Sequence, residues 1–258
     1  MTPMDSTRNA RRARRAAVAV VSAAALVLAG GFAVPSAGED AAPRAAAART
    51  GVVFRLTFDG RGAVRDGTTF KNAAGKGKVR VRLDSGRFKR VRGKPGKALR
   101  YPVAGGYGLL EGPDRKAWDP GRRDFRFGVR VKIAKSQATA HMNAFQKGYH
   151  RQAGGQWKLQ IDQGLPSCVV RGDIDRILVR SAEPVTDGRW HRLVCWRTSE
   201  HGVRLFVDGA LVADKDAPTG KVANAAPIRI GAKKLGPGSV DQFHGRVDGP
   251  YLFVSSVG

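Results

Sequence analysis

The stretch from Asp187 to Ala213 constrains the fold most, because it contains three strand-like segments joined by two turns. Arg189 to Thr198 is rich in aromatic and β-branched residues, which favour strands. Val203 to Val207 alternates its side chains, and Asp208-Gly209 after it supplies the positive φ that a tight hairpin needs. Ala210 to Ala213 begins a return strand. The stretch therefore predicts an antiparallel meander.

The rest of the chain repeats short strand-like segments and shows no sustained helical period. The longest alternating segment is Asp124 to Ala134, with apolar residues on one face and Arg126, Arg130 and Lys132 on the other. Turn signals recur about every 8–12 residues, which is typical of sheet proteins. The pattern predicts an all-β fold, a two-sheet antiparallel β-sandwich of the jelly-roll type.

The N-terminus differs from the rest in composition. Arginines between Arg8 and Arg15 precede a short apolar run from Ala16 to Ala29, and small residues follow. This is the layout of a secretory signal peptide, and the run is shorter than the roughly 20 residues of a membrane span. We expect a signal peptide over residues 1–37, a flexible linker over 38–50 and the folded domain over 51–258. The protein is thus expected to be secreted, and Arg11-Arg12 and Arg14-Arg15 could serve a twin-arginine route.

The two cysteines, Cys168 and Cys195, lie in separate strand-like segments. An exported chain meets an oxidising compartment, which favours disulfide formation. The sequence has neither a C-x-x-C motif nor a Cys/His metal spacing. We therefore predict a Cys168–Cys195 disulfide between neighbouring strands.

The chain is strongly basic, with 46 Lys+Arg against 21 Asp+Glu and a net charge of +25. Such a surface attracts polyanions, with an affinity that falls as salt rises. The basic residues are scattered at alternate strand positions, which indicates a solvated sheet face first and a ligand groove second. The densest basic cluster runs from Lys76 to Lys97. No helix with a basic face is evident and aromatic residues make up only 7%, which argues against nucleic acid as the partner.

Several short motifs follow one another in a recognisable order: Phe58-Asp59, Phe125 to Ile133, Trp157 to Ile161, Trp190-His191, Leu205 to Gly209, Ile228 to Gly231 and Phe243 to Asp248. Their order over about 200 residues resembles the laminin-G-like domains of the concanavalin A-like lectin/glucanase superfamily. The resemblance implies a jelly roll. It is less specific for activity, because this fold hosts lectins, adhesion modules and glycoside hydrolases.

One catalytic motif of hydrolases with this fold is missing from the sequence. Bacterial endoglucanases of this fold carry E-x-D-x-x-E on one strand, and this chain has no such motif. The nearest acidic pair, Asp173 and Asp175, lies beside a glycine and is interpreted as a turn. His191 is interpreted as a half-buried residue that closes the sheet. We therefore expect no catalytic residues.

Calcium is the one cofactor that the resemblance implies. Laminin-G-like domains often hold Ca²⁺ through aspartate side chains and loop carbonyls, which suit a hard cation. Asp59 ends the first strand and Asp248 lies in the last one, so these two residues are the candidate ligands of a structural Ca²⁺. Turn chemistry and an ion pair at the sheet edge remain the alternative.

Three aromatic residues in loop-like segments are candidate sugar-binding residues, because sugar C–H faces pack on aromatic rings: Tyr107, Trp118 and Tyr149. The other tryptophans, Trp157, Trp190 and Trp196, are expected to face the core. Together these observations predict a secreted, non-catalytic carbohydrate- and polyanion-binding module. Its partner would be a glycan or an anionic cell-envelope polymer. A divergent polysaccharide hydrolase or a lyase using His150 with Tyr149, and a protein-binding adhesion module, remain the alternatives.

Overall fold

The computed structural model describes residues 51–239 and 241–256. The predicted signal peptide and linker lie outside these residues. The described part contains two short 3-10 turns, Lys116–Trp118 and Lys135–Gln137, and no α-helix. None of its helical segments is long and apolar enough to cross a membrane.

Strands account for all other regular structure in these residues. In chain order they are β1 (Val52–Arg55), β2 (Thr69–Lys71), β3 (Lys78–Leu83), β4 (Lys89–Arg92), β5 (Lys97–Arg100), β6 (Gly108–Gly112), β7 (Phe125–Ala134), β8 (His141–Lys147), β9 (Gln156–Asp162), β10 (Leu165–Arg171), β11 (Arg176–Arg180), β12 (Asp187–Thr198), β13 (Gly202–Val207), β14 (Ala210–Lys215), β15 (Ile228–Ile230) and β16 (Arg246–Val254).

The strands form two antiparallel sheets of eight strands each. Sheet I has the order β14-β13-β12-β7-β16-β5-β4, with β1 paired to β16, and sheet II has the order β11-β10-β9-β8-β15-β6-β3-β2. The meander predicted from Asp187 to Ala213 is β12-β13-β14 at one side of sheet I. The predicted two-sheet jelly-roll sandwich is confirmed.

The core lies between the sheets and follows from the alternation in the strands. In β7 the five residues Phe125, Phe127, Val129, Val131 and Ile133 are buried, while Arg126 on the other face is exposed. The Phe127 ring meets the Trp157 ring of β9 at 4.7 Å between centroids. Burying each such side chain stabilises the fold by about 1.5–3 kcal/mol.

The predicted Cys168–Cys195 disulfide is present, but it does not join neighbouring strands. Cys168 lies on β10 of sheet II and Cys195 on β12 of sheet I, with a Cα–Cα distance of 5.9 Å. Both cysteines are fully buried, in the core where the two sheets face each other. The bridge links the two sheets of the sandwich.

A buried lysine closes one end of the core. The Nζ of Lys147 lies 2.6 Å from Asp119 Oδ1 and 2.9 Å from Asp114 Oδ1, and it also donates to the Asn224 carbonyl. Its side chain is completely inaccessible to solvent. Such a charge is tolerated because carboxylates and a carbonyl surround it.

Candidate functional site

A cleft of about 530 Å³ opens on the outer face of sheet I. Strands β1, β7, β12 and β16 supply its walls, and the residues that define it are Arg55, Arg126, Arg130, Arg192, Tyr251 and Phe253. We call it the arginine cleft. The same alternation that buries the apolar residues of β7 and β16 sends these side chains to the opposite face.

The strand register arranges this face in three rows that cross β16, β7 and β12. The rows are Phe253, Arg126 and Trp196; Tyr251, Gly128 and Val194; and Asp248, Arg130 and Arg192. Directly opposite residues on one face of an antiparallel pair are close enough to contact each other. The cleft is therefore assembled from cross-strand neighbours that lie far apart in the sequence.

Two aromatic rings are fixed in the cleft wall. The Arg126 guanidinium lies over the Phe253 ring, 4.8 Å from its centroid, which holds the guanidinium flat. The Tyr251 ring lies across Gly128, where a Cβ would approach the ring carbon Cε1 to 2.7 Å. Gly128 is thus the residue that makes room for the tyrosine.

None of the four arginines of the cleft forms a direct ion pair within the described residues, although Arg130 lies opposite Asp248 and its charge acts on that carboxylate. Within residues 51–239 and 241–256, the ion pairs of arginine involve other positions. By contrast, Arg229 of sheet II binds Glu111 through two nitrogens, at 2.7 and 2.6 Å. The cleft therefore presents guanidinium forks that match a carboxylate, sulfate or phosphate group.

The predicted calcium ligands lie together at one end of the cleft, where both act on the Gly93–Lys97 turn. Asp248 Oδ2 accepts a hydrogen bond from the Lys94 N–H at 2.8 Å, and Asp59 Oδ1 accepts one from the Lys97 N–H at 2.9 Å. Burial raises the pKa of Asp248, and the neighbouring Asp59 charge adds to this rise. No group of three or more acidic, His or Cys side chains in the described part of the chain is placed to hold a metal. The donor set therefore does not form a calcium cage, and the bound ion stays a prediction.

The prediction for Trp118 is wrong. Its side chain is fully buried, its Nε1 donates to the Val53 carbonyl at 3.1 Å, and its ring packs edge-on against Phe54. The loop context was misleading because a short 3-10 turn directs this ring into the core. It is not available to a sugar.

The other two aromatic candidates are half-buried and do not line the arginine cleft. The Tyr149 ring lies under the Arg229 guanidinium at 5.4 Å, beside sheet II. The Tyr107 backbone pairs with Ser85. Nothing brings Tyr107 and Tyr149 to one site, and their sugar-binding roles stay predictions.

The expected core position is confirmed for Trp157 and wrong for Trp190 and Trp196. Trp157 is fully buried, whereas the other two are half-buried on the outer face of sheet I. The alternation of β12 explains this, because Leu193 and Cys195 take the inward positions. Trp196 therefore belongs to the outer surface beside the cleft, where its ring lies 6.3 Å from that of Phe206.

The acidic pair of the Gly172–Ile177 segment is a turn, as expected. Asp173 binds Arg122 at 2.9 Å and the Lys221 N–H at 2.7 Å, and Asp175 accepts from the Arg176 N–H. His150 is exposed. The two carboxylates are thus engaged in contacts of the turn.

Comparison with known proteins places this geometry in a family. The family profile described as the concanavalin A-like lectin/glucanases superfamily matches residues 113–255. None of the curated proteins compared with the chain matches its sequence.

Solved structures resemble the fold at low sequence identity. The binding domain of paraclostridial mosquitocidal protein 1 matches with a TM-score of 0.58 and 13% identity, over 81% of this chain and 50% of that one. The binding domain of botulinum neurotoxin DC in complex with SialylT matches with a TM-score of 0.56 and 11% identity, over 80% and 48%. This chain therefore spans about half the length of those toxin domains.

Domain 4 of AbnA, a GH43 extracellular arabinanase from Geobacillus stearothermophilus, matches over nearly its full length. The TM-score is 0.58 and the identity 16%, over 80% of this chain and 94% of that one, and that structure is a complex with arabinotriose. At these identities the likeness concerns the fold. By profile, strand order and core, the chain belongs to the concanavalin A-like lectin/glucanases superfamily.

Proposed function

We propose that the protein is a secreted, non-catalytic module that binds an acidic glycan of the cell envelope or the extracellular space in its arginine cleft. One observation carries the proposal. Four arginines that form no direct ion pair with any described residue line a cleft with two half-buried aromatic rings on an open sheet face.

The chemistry of the cleft fits a charged sugar on two counts. Guanidinium groups bind the oxygens of carboxylate, sulfate or phosphate with two parallel hydrogen bonds, each stronger than a neutral one. The Tyr251 ring offers an apolar surface to sugar C–H groups, and the Phe253 ring supports the Arg126 guanidinium. The net charge of +25 adds long-range attraction for a polyanion.

The related structures support a binding role as a property of the fold. Domain 4 of the arabinanase was solved with arabinotriose, and the botulinum neurotoxin DC binding domain with SialylT. The absence of the E-x-D-x-x-E motif from the sequence supports a module without hydrolytic activity.

The experiment is a binding titration of acidic oligosaccharides at about 50 and about 200 mM salt, since phosphate-like contacts weaken steeply over that range. We expect the Arg126→Gln/Arg130→Gln double variant to lose at least about tenfold in affinity, because each charge-assisted hydrogen bond contributes about 1.5–3 kcal/mol. The matched control is Lys78→Gln/Arg80→Gln, which removes the same charge from exposed positions on sheet II.

The control variant distinguishes binding in the cleft from binding by the net charge of the whole surface. Equal losses in the two double variants would overturn the cleft as the binding site, because only the net charge would then matter. Failure of every acidic glycan to bind at low salt would overturn the proposed function itself.

One observation favours a hydrolase as the second candidate. Asp59 and Asp248 both line the cleft, and burial raises the pKa of Asp248 while Asp59 is exposed. A carboxylic acid with a raised pKa beside a second carboxylate is the usual pair of a glycosidase. Release of new reducing ends from a bound polysaccharide, lost in Asp248→Asn, would favour this candidate over the binding module.

A further inference from the structure

A short row of side chains continues the binding face beyond the cleft. Arg126 on β7 is paired directly with Trp196 on β12, and Trp196 is paired directly with Arg204 on β13. We call these three residues the Arg-Trp-Arg row. Neighbouring strands lie about 4.8 Å apart, so the two arginine backbones are about 10 Å apart with the tryptophan between them.

Both arginines of the row are free to bind an anion. Arg126 is exposed and without an ion pair, as described for the cleft. Arg204 is half-buried, and its Nε is buried without a hydrogen-bond partner. Asp214 lies directly opposite Arg204 on β14, yet the two side chains form no ion pair within the described residues. The buried Nε itself is out of reach of a surface ligand, but the side chain is only half-buried, so an anion would bind the part of Arg204 that remains accessible.

The row is also held in place from both sides. The Arg126 guanidinium rests on the Phe253 ring at 4.8 Å, and the Trp196 ring lies beside the Phe206 ring at 6.3 Å. Side chains fixed by such contacts lose less conformational entropy when a ligand binds. The row is thus a preorganised surface rather than three mobile side chains.

We infer that the ligand crosses the strands along this row and carries its acidic groups on alternate sugars. A neutral sugar would lie on Trp196, and the acidic groups of its two neighbours would bind Arg126 and Arg204. The match follows because one sugar advances an extended chain by about the spacing between strands. This inference rests on the proposed function and specifies its ligand class.

The tryptophan is what distinguishes this class from a uniformly charged polymer. The face of an aromatic ring is the negative part of its quadrupole. A homopolymer of uronic acids would bring a carboxylate near that face, whereas an alternating polymer brings the apolar face of a neutral sugar. The row therefore selects against the ligand with the higher charge density.

The test compares hexasaccharides of equal length. Those of hyaluronan and chondroitin alternate a uronate with a neutral or N-acetylated sugar unit, and hexamannuronate from alginate carries a carboxylate on every sugar. Charge alone predicts tighter binding of hexamannuronate. We expect at least one alternating hexasaccharide to bind about tenfold tighter than hexamannuronate, a difference of about 1.4 kcal/mol.

Three variants connect that preference to the row. Trp196→Ala should abolish the preference, and Trp196→Phe should keep most of it because a ring remains. Arg204→Gln should weaken the alternating hexasaccharide about tenfold, although Arg204 does not line the cleft. Arg80→Gln on sheet II is the matched control and should change nothing. Tryptophan fluorescence should change on binding in the wild type and lose that change in Trp196→Phe.

The outcomes separate the two proposals. If hexamannuronate binds as tightly as the alternating hexasaccharides, or if Trp196→Ala folds with the wild-type Tm and keeps the preference, the alternating ligand is ruled out while the cleft proposal stands. If no acidic hexasaccharide binds the wild type at low salt, the proposed function fails as well.

Discussion

His191 lies between two carboxylates near the beginning of β12. Its Nδ1 lies 2.7 Å from Asp208 Oδ2 and its Nε2 lies 2.9 Å from Asp187 Oδ1. Burial lowers the pKa of His191, but the hydrogen bonds to Asp187 and Asp208 outweigh it, so the pKa is raised overall. The Arg189 N–H and the His191 ring hold the pKa of Asp187 far below its usual value of 3.8.

This arrangement predicts a pH-dependent contribution to stability. The contribution of the charged His191 is complete below its ordinary pKa of 6.5 and is lost as pH rises through the raised folded value. The contribution of Asp187 is lost as pH falls below 3.8 toward its lowered folded value. We therefore expect His191→Gln to lower the Tm more at about pH 5.5 than at about pH 8.5. An equal loss at both pH values would contradict a charged His191.

The Asp59 and Asp248 side chains predict how the protein responds to calcium. Each already binds a main-chain N–H of the Gly93–Lys97 turn, and no third acidic, His or Cys side chain within the described ranges joins them. If these contacts to the turn are the whole role of the two carboxylates, neither EGTA nor added Ca²⁺ will change the Tm measured by thermal unfolding. A rise in Tm with Ca²⁺ that disappears in Asp248→Asn would instead establish a calcium site.

Lys147 shows why single buried charges are hard to predict. Lys147 is the last residue of β8. The sequence alone gives no sign that its Nζ contacts Asp114, Asp119 and Asn224. Those partners come from loops far away in the chain. Local pattern therefore cannot distinguish this lysine from the solvated ones.

Strands with strict alternation were predictable from the sequence, and strands with large residues on both faces were not. In β7 every second residue is apolar and the others are mainly charged or glycine, so its inward face is unambiguous. In β12, Trp190 and Trp196 lie on one face and Leu193 and Cys195 on the other. Whichever face is assigned to the core, large apolar residues remain on the outer face. The assignment of Trp196 to the core failed for that reason.

The disulfide predicts a measurable share of the stability of the sandwich. It closes a loop with a sequence separation of 27, for which the chain-entropy relation gives about 3–4 kcal/mol. We expect the Cys168→Ala/Cys195→Ala double variant to lose about 3 kcal/mol in free energy of unfolding, measured in urea. Reduced wild type is the control and should lose a similar amount.

Ligand binding should survive this substitution below the unfolding transition, because both cysteines face the core and the cleft faces outward. A loss of less than about 1 kcal/mol would show that the bridge adds little to the packing of the sheets.

The arginine cleft belongs to the folded molecule as a whole. Its walls come from β1, β7, β12 and β16. More than a hundred residues of chain lie between β1 and β16. The sequence predicted that basic side chains would alternate outward, but not which of them meet, because pairing between distant strands is set by the topology. The net charge indicated a polyanion as ligand, and the sheet order shows which basic side chains share one cleft.

The cleft depends on β16, the last strand of the described chain. This strand lies between β7 and β5 in sheet I and carries both rings of the cleft wall, Tyr251 and Phe253. A polypeptide that stopped short of Arg246 would lack the strand that pairs with both β7 and β5. The cleft would then lack the Tyr251 ring that lies against Gly128. The proposed sugar binding should thus appear only after β16 has been synthesised, and a binding measurement would then report that this strand has joined the sheet.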